Sequence, residues 1–133
     1  MAQDMVTDVA ALLARGDKPG ALRRAWTAVD AIMPGRPGRQ HSRGLLLALT
    51  LYVAQVYPRP LVGLEAVAGV LAVADPRPGG DLDQAFGALH KDDLPRVLHE
   101  EFRRAGAGDR AQAMAEGEAA LQAYMGRTVR QGR

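Results

Sequence analysis

A chain of 133 residues, 47% apolar and with a formal charge of only +2, is sized and composed for one globular core without cross-links. It contains no cysteine, which excludes disulfide scaffolds, thiolate zinc sites and cysteine nucleophiles. Its positive charge is almost all arginine, with lysine only at Lys18 and Lys91, and so small a net charge does not by itself imply nucleic acid.

The first ten residues, MAQDMVTDVA, place acids among the apolar residues with no basic segment ahead of them. They do not read as a secretory signal. Asp4 to Arg15 reads as a short amphipathic helix with Met5, Val9, Leu12 and Leu13 on one face. Gly16 supplies a left-handed stop. Asp17 caps a second helix and Pro19 sits in its first turn, where a missing N–H costs nothing. Leu22, Ala25, Trp26, Val29, Ile32 and Met33 form its apolar stripe; Arg23, Arg24 and Asp30 form the polar one.

PGRPGRQHSR, from Pro34 to Arg43, is the most loop-like segment, and Ser42 reads as the N-cap of the next helix. Gly44 to Ala74 is the most apolar stretch, with Arg59 and Glu65 its only charges. Pro58-Arg59-Pro60 splits it into one limb ending at Tyr57 and another running from Leu61. Each limb is shorter than the ~20 apolar residues of a spanning helix. The stretch therefore reads as a buried helical hairpin of a soluble, cytoplasmic protein with no membrane contact.

A stiff turn occupies 75–80. Asp81 and Gln84 suggest a capping box for a helix that turns Leu82, Ala85, Phe86 and Leu89 inward. Asp92 or Asp93 caps the next helix, with Pro95 in its first turn and Leu94, Val97, Leu98, Phe102 and Ala105 inward. Gly106 ends it and Asp109 opens the last helix. There Ala111, Met114, Ala115, Leu121, Tyr124, Met125 and Val129 make a weak stripe, interrupted by Gly117. A basic tail at 127–133 is expected to fray. No segment alternates as a strand does, and short connections favour antiparallel neighbours. The expected fold is a single all-α domain spanning 1–133: a compact bundle of six to seven short antiparallel helices around the central apolar hairpin at 43–74.

In an up-and-down bundle, alternate loops share an end. The loops at 34–43, 75–80 and 106–109 would then gather Arg36, Arg39, Arg43, Arg77, Arg103, Arg104 and Arg110, with His41 among them. Arginine suits phosphate because its planar fork donates parallel hydrogen bonds and keeps its charge when partly desolvated. Contacts of that kind would give salt-dependent binding to an RNA or DNA backbone. The aromatics that would stack on bases are missing, since Trp26, Tyr52, Tyr57, Phe86 and Phe102 all read as inward. A solvated arginine-rich surface is the favoured reading.

His41, His90 and His99 are the only imidazoles. LHEEF around His99 is not H-E-x-x-H, so no helix face presents two ligands one turn apart. His90 and His99 read as solvated polar-face residues, with a shared site across their hairpin as the alternative. Ser42, the only serine, is taken by its cap role, and GRPGR at 35–39 lacks the Lys-Ser/Thr of a phosphate loop. Within the apolar limb, Thr50 reads as bonding back to its own helix and Gln55 as reaching the surface.

In size and in all-helical, partly basic character, the chain is similar to the small helical subunits of CRISPR ribonucleoprotein effectors. No residue motif carries that likeness, so it extends to architecture alone. Either the apolar hairpin is the covered hub of a monomer, or its surplus apolar surface continues into an interface with a partner. The leading expectation is a non-enzymatic helical binding or assembly protein, acting through a protein partner or as a homo-oligomer. A nucleic-acid-backbone-contacting subunit using the arginine end comes second. A small ligand-binding or metal-dependent enzyme using His90 and His99 comes third. No catalytic residue, metal ligand or cofactor is assigned.

Overall fold

Aspartates placed just ahead of apolar stripes start the first two helices. In the computed structural model, which describes residues 4–34 and 40–131, Asp4 accepts from the Val6 N–H at 2.8 Å and opens α1 (Met5–Ala14). Gly16, at φ +77°, lets the chain turn out of that helix, a conformation that costs glycine little. Asp17 then accepts from the Gly20 N–H at 2.9 Å to open α2 (Lys18–Ile32), with Pro19 in the first turn. The two helices pack together, tied at the surface by Arg24 to Asp8 at 2.8 Å.

The inner face of α2 is built on Ala21, Ala25, Ala28, Val29 and Ile32, and Trp26 is 38% exposed. This corrects the inward placement of the indole. The alanines let α2 approach its neighbours closely, which leaves no room there for a large ring. Trp26 instead lies at the rim, with the Arg43 guanidinium 5.5 Å from its ring centre.

The third helix, α3 (Gln40–Val56), begins ahead of Ser42. Ser42 is therefore not its cap; it is buried and donates to Glu116 at 3.0 Å. From Leu45 to Leu51 every residue of α3 is buried, and the helix packs on α1 and α2 as well as on later elements. A helix apolar on all sides requires such a surround. Thr50 donates to the Leu46 carbonyl at 2.7 Å, and exposed Gln55 donates to Asp93 at 3.0 Å, both as their positions suggest.

After a 3-10 turn at Arg59–Leu61 comes α4 (Leu64–Val73). It buries Val67, Ala68 and Leu71 but exposes Glu65, Gly69, Ala72 and Val73. The two limbs are thus unequal. The first is the hub, while the second is an edge helix supported mainly by α3 and the last helix.

In the second half, α5 (Asp81–Gly87) starts without the expected capping box. Asp81 accepts from the Asp75 N–H at 2.6 Å and Gln84 donates to the Gly79 carbonyl at 3.0 Å, so the same side chains brace the preceding turn. Next, α6 (Leu94–Arg103) buries Pro95, His99 and Phe102, while Val97 is 50% exposed. Finally, α7 (Ala107–Gln131) runs unbroken through Gly117. A Cβ on Gly117 would lie 3.7 Å from Leu46 and 3.9 Å from Leu71, so this glycine marks where α7 lies against α3 and α4. The protein is all-helical, with seven α-helices among the described residues packed as a bundle. Among the described residues none forms a strand, and no helix is long and apolar enough to cross a membrane.

Candidate functional site

Inside the second half lies a polar cluster that periodicity placed on the surface. His99 is 1% exposed, its ring stacked on Phe86 at 4.2 Å and tilted against Phe102 at 5.8 Å. Arg110, from the first turns of α7, is 3% exposed. It reaches Asp83 at 2.9 Å, the Arg103 carbonyl at 2.7 Å and the Pro76 carbonyl at 3.2 Å. Asp83 also accepts from the Gly79 N–H at 3.0 Å. One arginine therefore joins α5, the end of α6, the turn at 75–80 and α7. This is a structural clamp, since its donors already have partners within the fold.

Burial penalises the charge on Asp83. The Gly79 N–H, Arg110 and His99 outweigh that penalty and hold its carboxyl below the usual carboxylate range. For His99, burial dominates and Arg110 adds to it, against the opposing pull of Asp83, so the imidazole is depressed to about 4. It is neutral near pH 7. Its Nε2 lies 3.2 Å from Asp83 Oδ1, yet neither atom makes a hydrogen bond. Stacking on Phe86 sets the ring plane and so limits how Nε2 can turn toward the carboxylate.

The sign of the resulting pH dependence follows from linkage. The unfolded chain protonates His99 near 6.5 and the folded chain only near 4. Within that window the unfolded state binds more protons, so stability falls as pH is lowered. The total amounts to roughly 3 kcal/mol. Asp83 acts in the same direction at still lower pH, because stability from a depressed carboxyl is lost as it protonates. Urea titrations at fixed pH should show His99→Phe flattening the slope between pH 6.5 and 4. Parallel slopes for the two proteins would show that His99 does not carry the effect.

The arginine end looks different once its partners are visible. Arg43 donates to the Met33 carbonyl and pairs with Asp30 at 2.6 Å. Arg77 pairs with Asp75 at 2.8 Å, and Arg103 with Glu100 at 3.1 Å. Arg110 is the buried clamp. Arg104 is exposed in a shallow cleft that mixes Lys91 and Arg96 with Glu100 and Glu101. His41 borders a small recess with Asp109 and Glu116. Arg36 and Arg39 lie outside the described residues. Carboxylates therefore accompany the described arginines closely, which weakens the field they could present to phosphate.

His90 and His99 do not share a site. His90 is exposed beside Asp92, while His99 is sealed against Phe86. Among the described residues, no three His, Asp or Glu side chains converge as a metal-binding group.

The most site-like surface lies where the two limbs join. Pro58 disfavours helical backbone at Tyr57, and α3 ends at Val56. The chain passes through the Arg59–Leu61 turn to Gly63, where a Cβ would sit 3.2 Å from Asp4 Oδ2. With no side chain at Gly63 to cap α4, Asp4 accepts from the Leu64 N–H at 3.0 Å while its other oxygen caps α1. One carboxylate thus anchors two helix N-termini. The reversal leaves a groove of about 620 Å³ walled by Tyr57, Leu61, Val62, Leu64 and Met125, with Glu65 and Asp4 as its acids. Leu61 is 62% exposed at its edge and Val56, next to Tyr57 in the chain, is 44% exposed. Such a groove can take up apolar side chains.

Comparison of the chain with protein-family models, with curated proteins and with solved structures finds no match to any of them.

Sequence reasoning missed both His99 and the groove. For His99 there was a signal, since Pro95, His99 and Phe102 lie at helical spacing, but Leu94, Val97 and Leu98 offered a more apolar stripe. The groove had only the uncommon run Pro-Arg-Pro-Leu-Val-Gly to announce it.

Proposed function

We propose that the protein is a non-enzymatic helical assembly protein that docks another protein surface in the groove between the α3–α4 turn and α7. The carrying observation is the groove itself: an apolar recess with Leu61 exposed at its edge, anchored by Asp4 to two helix ends. Exposed apolar surface set in a rigid frame favours partner binding, because little ordering entropy is lost on docking. Two further features support the reading. His99, whose imidazole burial depresses to about 4, is sealed inside the core against Phe86. Of the arginines that might bind phosphate, Arg43, Arg77, Arg103 and Arg110 are engaged by the chain's own acids.

The test is a randomised displayed-peptide library panned on the protein, with the Leu61→Asp and Met125→Asp variants as counter-selection. Apolar peptides that bind the parent and lose both variants are expected. If neither such peptides nor self-association sensitive to Leu61→Asp is found, the docking reading fails.

A further inference from the structure

The stretch from Arg59 to Ala66 carries an exposed apolar knob, the wall of an apolar recess, a cation and an anion. Leu61 is the knob, 62% exposed, and it borders the recess of about 620 Å³. Arg59 opens the turn that presents it, and Glu65 lies on the recess wall. Both charged residues are exposed, and among the described residues neither forms an ion pair.

We propose that the occupant of the groove is a second copy of this chain, in a two-fold dimer where Leu61 of each protomer enters the other's recess and Arg59 meets the partner's Glu65. This rests on the docking reading above and names its partner. Two-fold symmetry makes every contact reciprocal, so one patch must contain both members of each complementary pair. Here it does: knob with recess, and cation with anion. A small ligand in the groove would leave Leu61 and Arg59 unanswered. An unrelated protein would have to match four features that a second copy matches by symmetry.

Sedimentation velocity across a wide concentration range tests this, with circular dichroism melts to establish that each variant is folded. The parent protein should dimerise and Leu61→Asp should be monomeric. Arg59→Glu alone and Glu65→Arg alone should each weaken the dimer about tenfold or more, since each reversal places two like-charge contacts in it. An equimolar mixture of Arg59→Glu and Glu65→Arg should regain dimer as a heterodimer, in which every pair is again opposite in sign. A monomeric parent at all concentrations overturns the proposal, as does a dimer indifferent to these substitutions. In either case, Leu61-dependent peptides from the library would leave the docking reading standing with a different partner.

Discussion

Replacing Arg110 with alanine should lower the unfolding free energy by about 3–5 kcal/mol, the usual loss when one member of a buried ion pair is removed. Arg110 is 3% exposed, and its partner Asp83 lies among the turn at 75–80, His99 and α7. Without the guanidinium, the carboxylate keeps the Gly79 N–H but loses its only ion pair with an arginine among the described residues. The carbonyls of Arg103 and Pro76 lose their donor at the same time. Because the penalty arises from an orphaned charge, removing both charges should cost less than removing one. Arg110→Met combined with Asp83→Asn should therefore recover a large part of the loss, since asparagine still accepts from Gly79. Urea denaturation of the two single variants and the double variant measures this. An Arg110→Ala protein within about 1 kcal/mol of the parent would remove the clamp from the account of stability.

Leu49→Ala should cost about 2–5 kcal/mol, through lost transfer energy and the cavity left behind. Leu49 is 1% exposed in the middle of α3, which is surrounded by α1, α2, α4, α6 and α7 and has little freedom to collapse into the gap. Val73→Ala, on the outer face of α4 where Val73 is 81% exposed, should stay within about 0.5 kcal/mol of the parent. The contrast distinguishes a single buried hub from a hairpin buried on both limbs. Equal losses at the two positions in a denaturant series would mean that α4 is covered as fully as α3.

Much of the helical content was legible because it depends on neighbours in the chain. Asp17 ahead of an apolar stripe, Pro19 in a first turn and Gly16 after a last one are local signals, and each performs its local task in the structure. The continuous apolar run Leu45–Leu51 likewise required burial, whatever surrounded it. Where local signals misled, a distant partner offered a better contact. Ser42 donates to Glu116 instead of capping, and Asp93 accepts from Gln55 and the His90 N–H instead of its own helix.

The amino-acid sequence by itself determined an all-helical chain with one segment too apolar to face water, because periodicity, capping and hydrophobicity act over a few residues. Tertiary structure alone decided the rest. It turned α6 so that His99 is inside and Val97 outside, because Phe86 and the Asp83–Arg110 pair come from elsewhere in the chain. It gave Arg43 and Arg110 their carboxylates, because Asp30 and Asp83 reach them from other helices. It also left α4 at the edge of the bundle, with Leu61 exposed beside a groove. Whether an apolar helix is covered depends on how many neighbours reach it, and that number is a property of the whole fold.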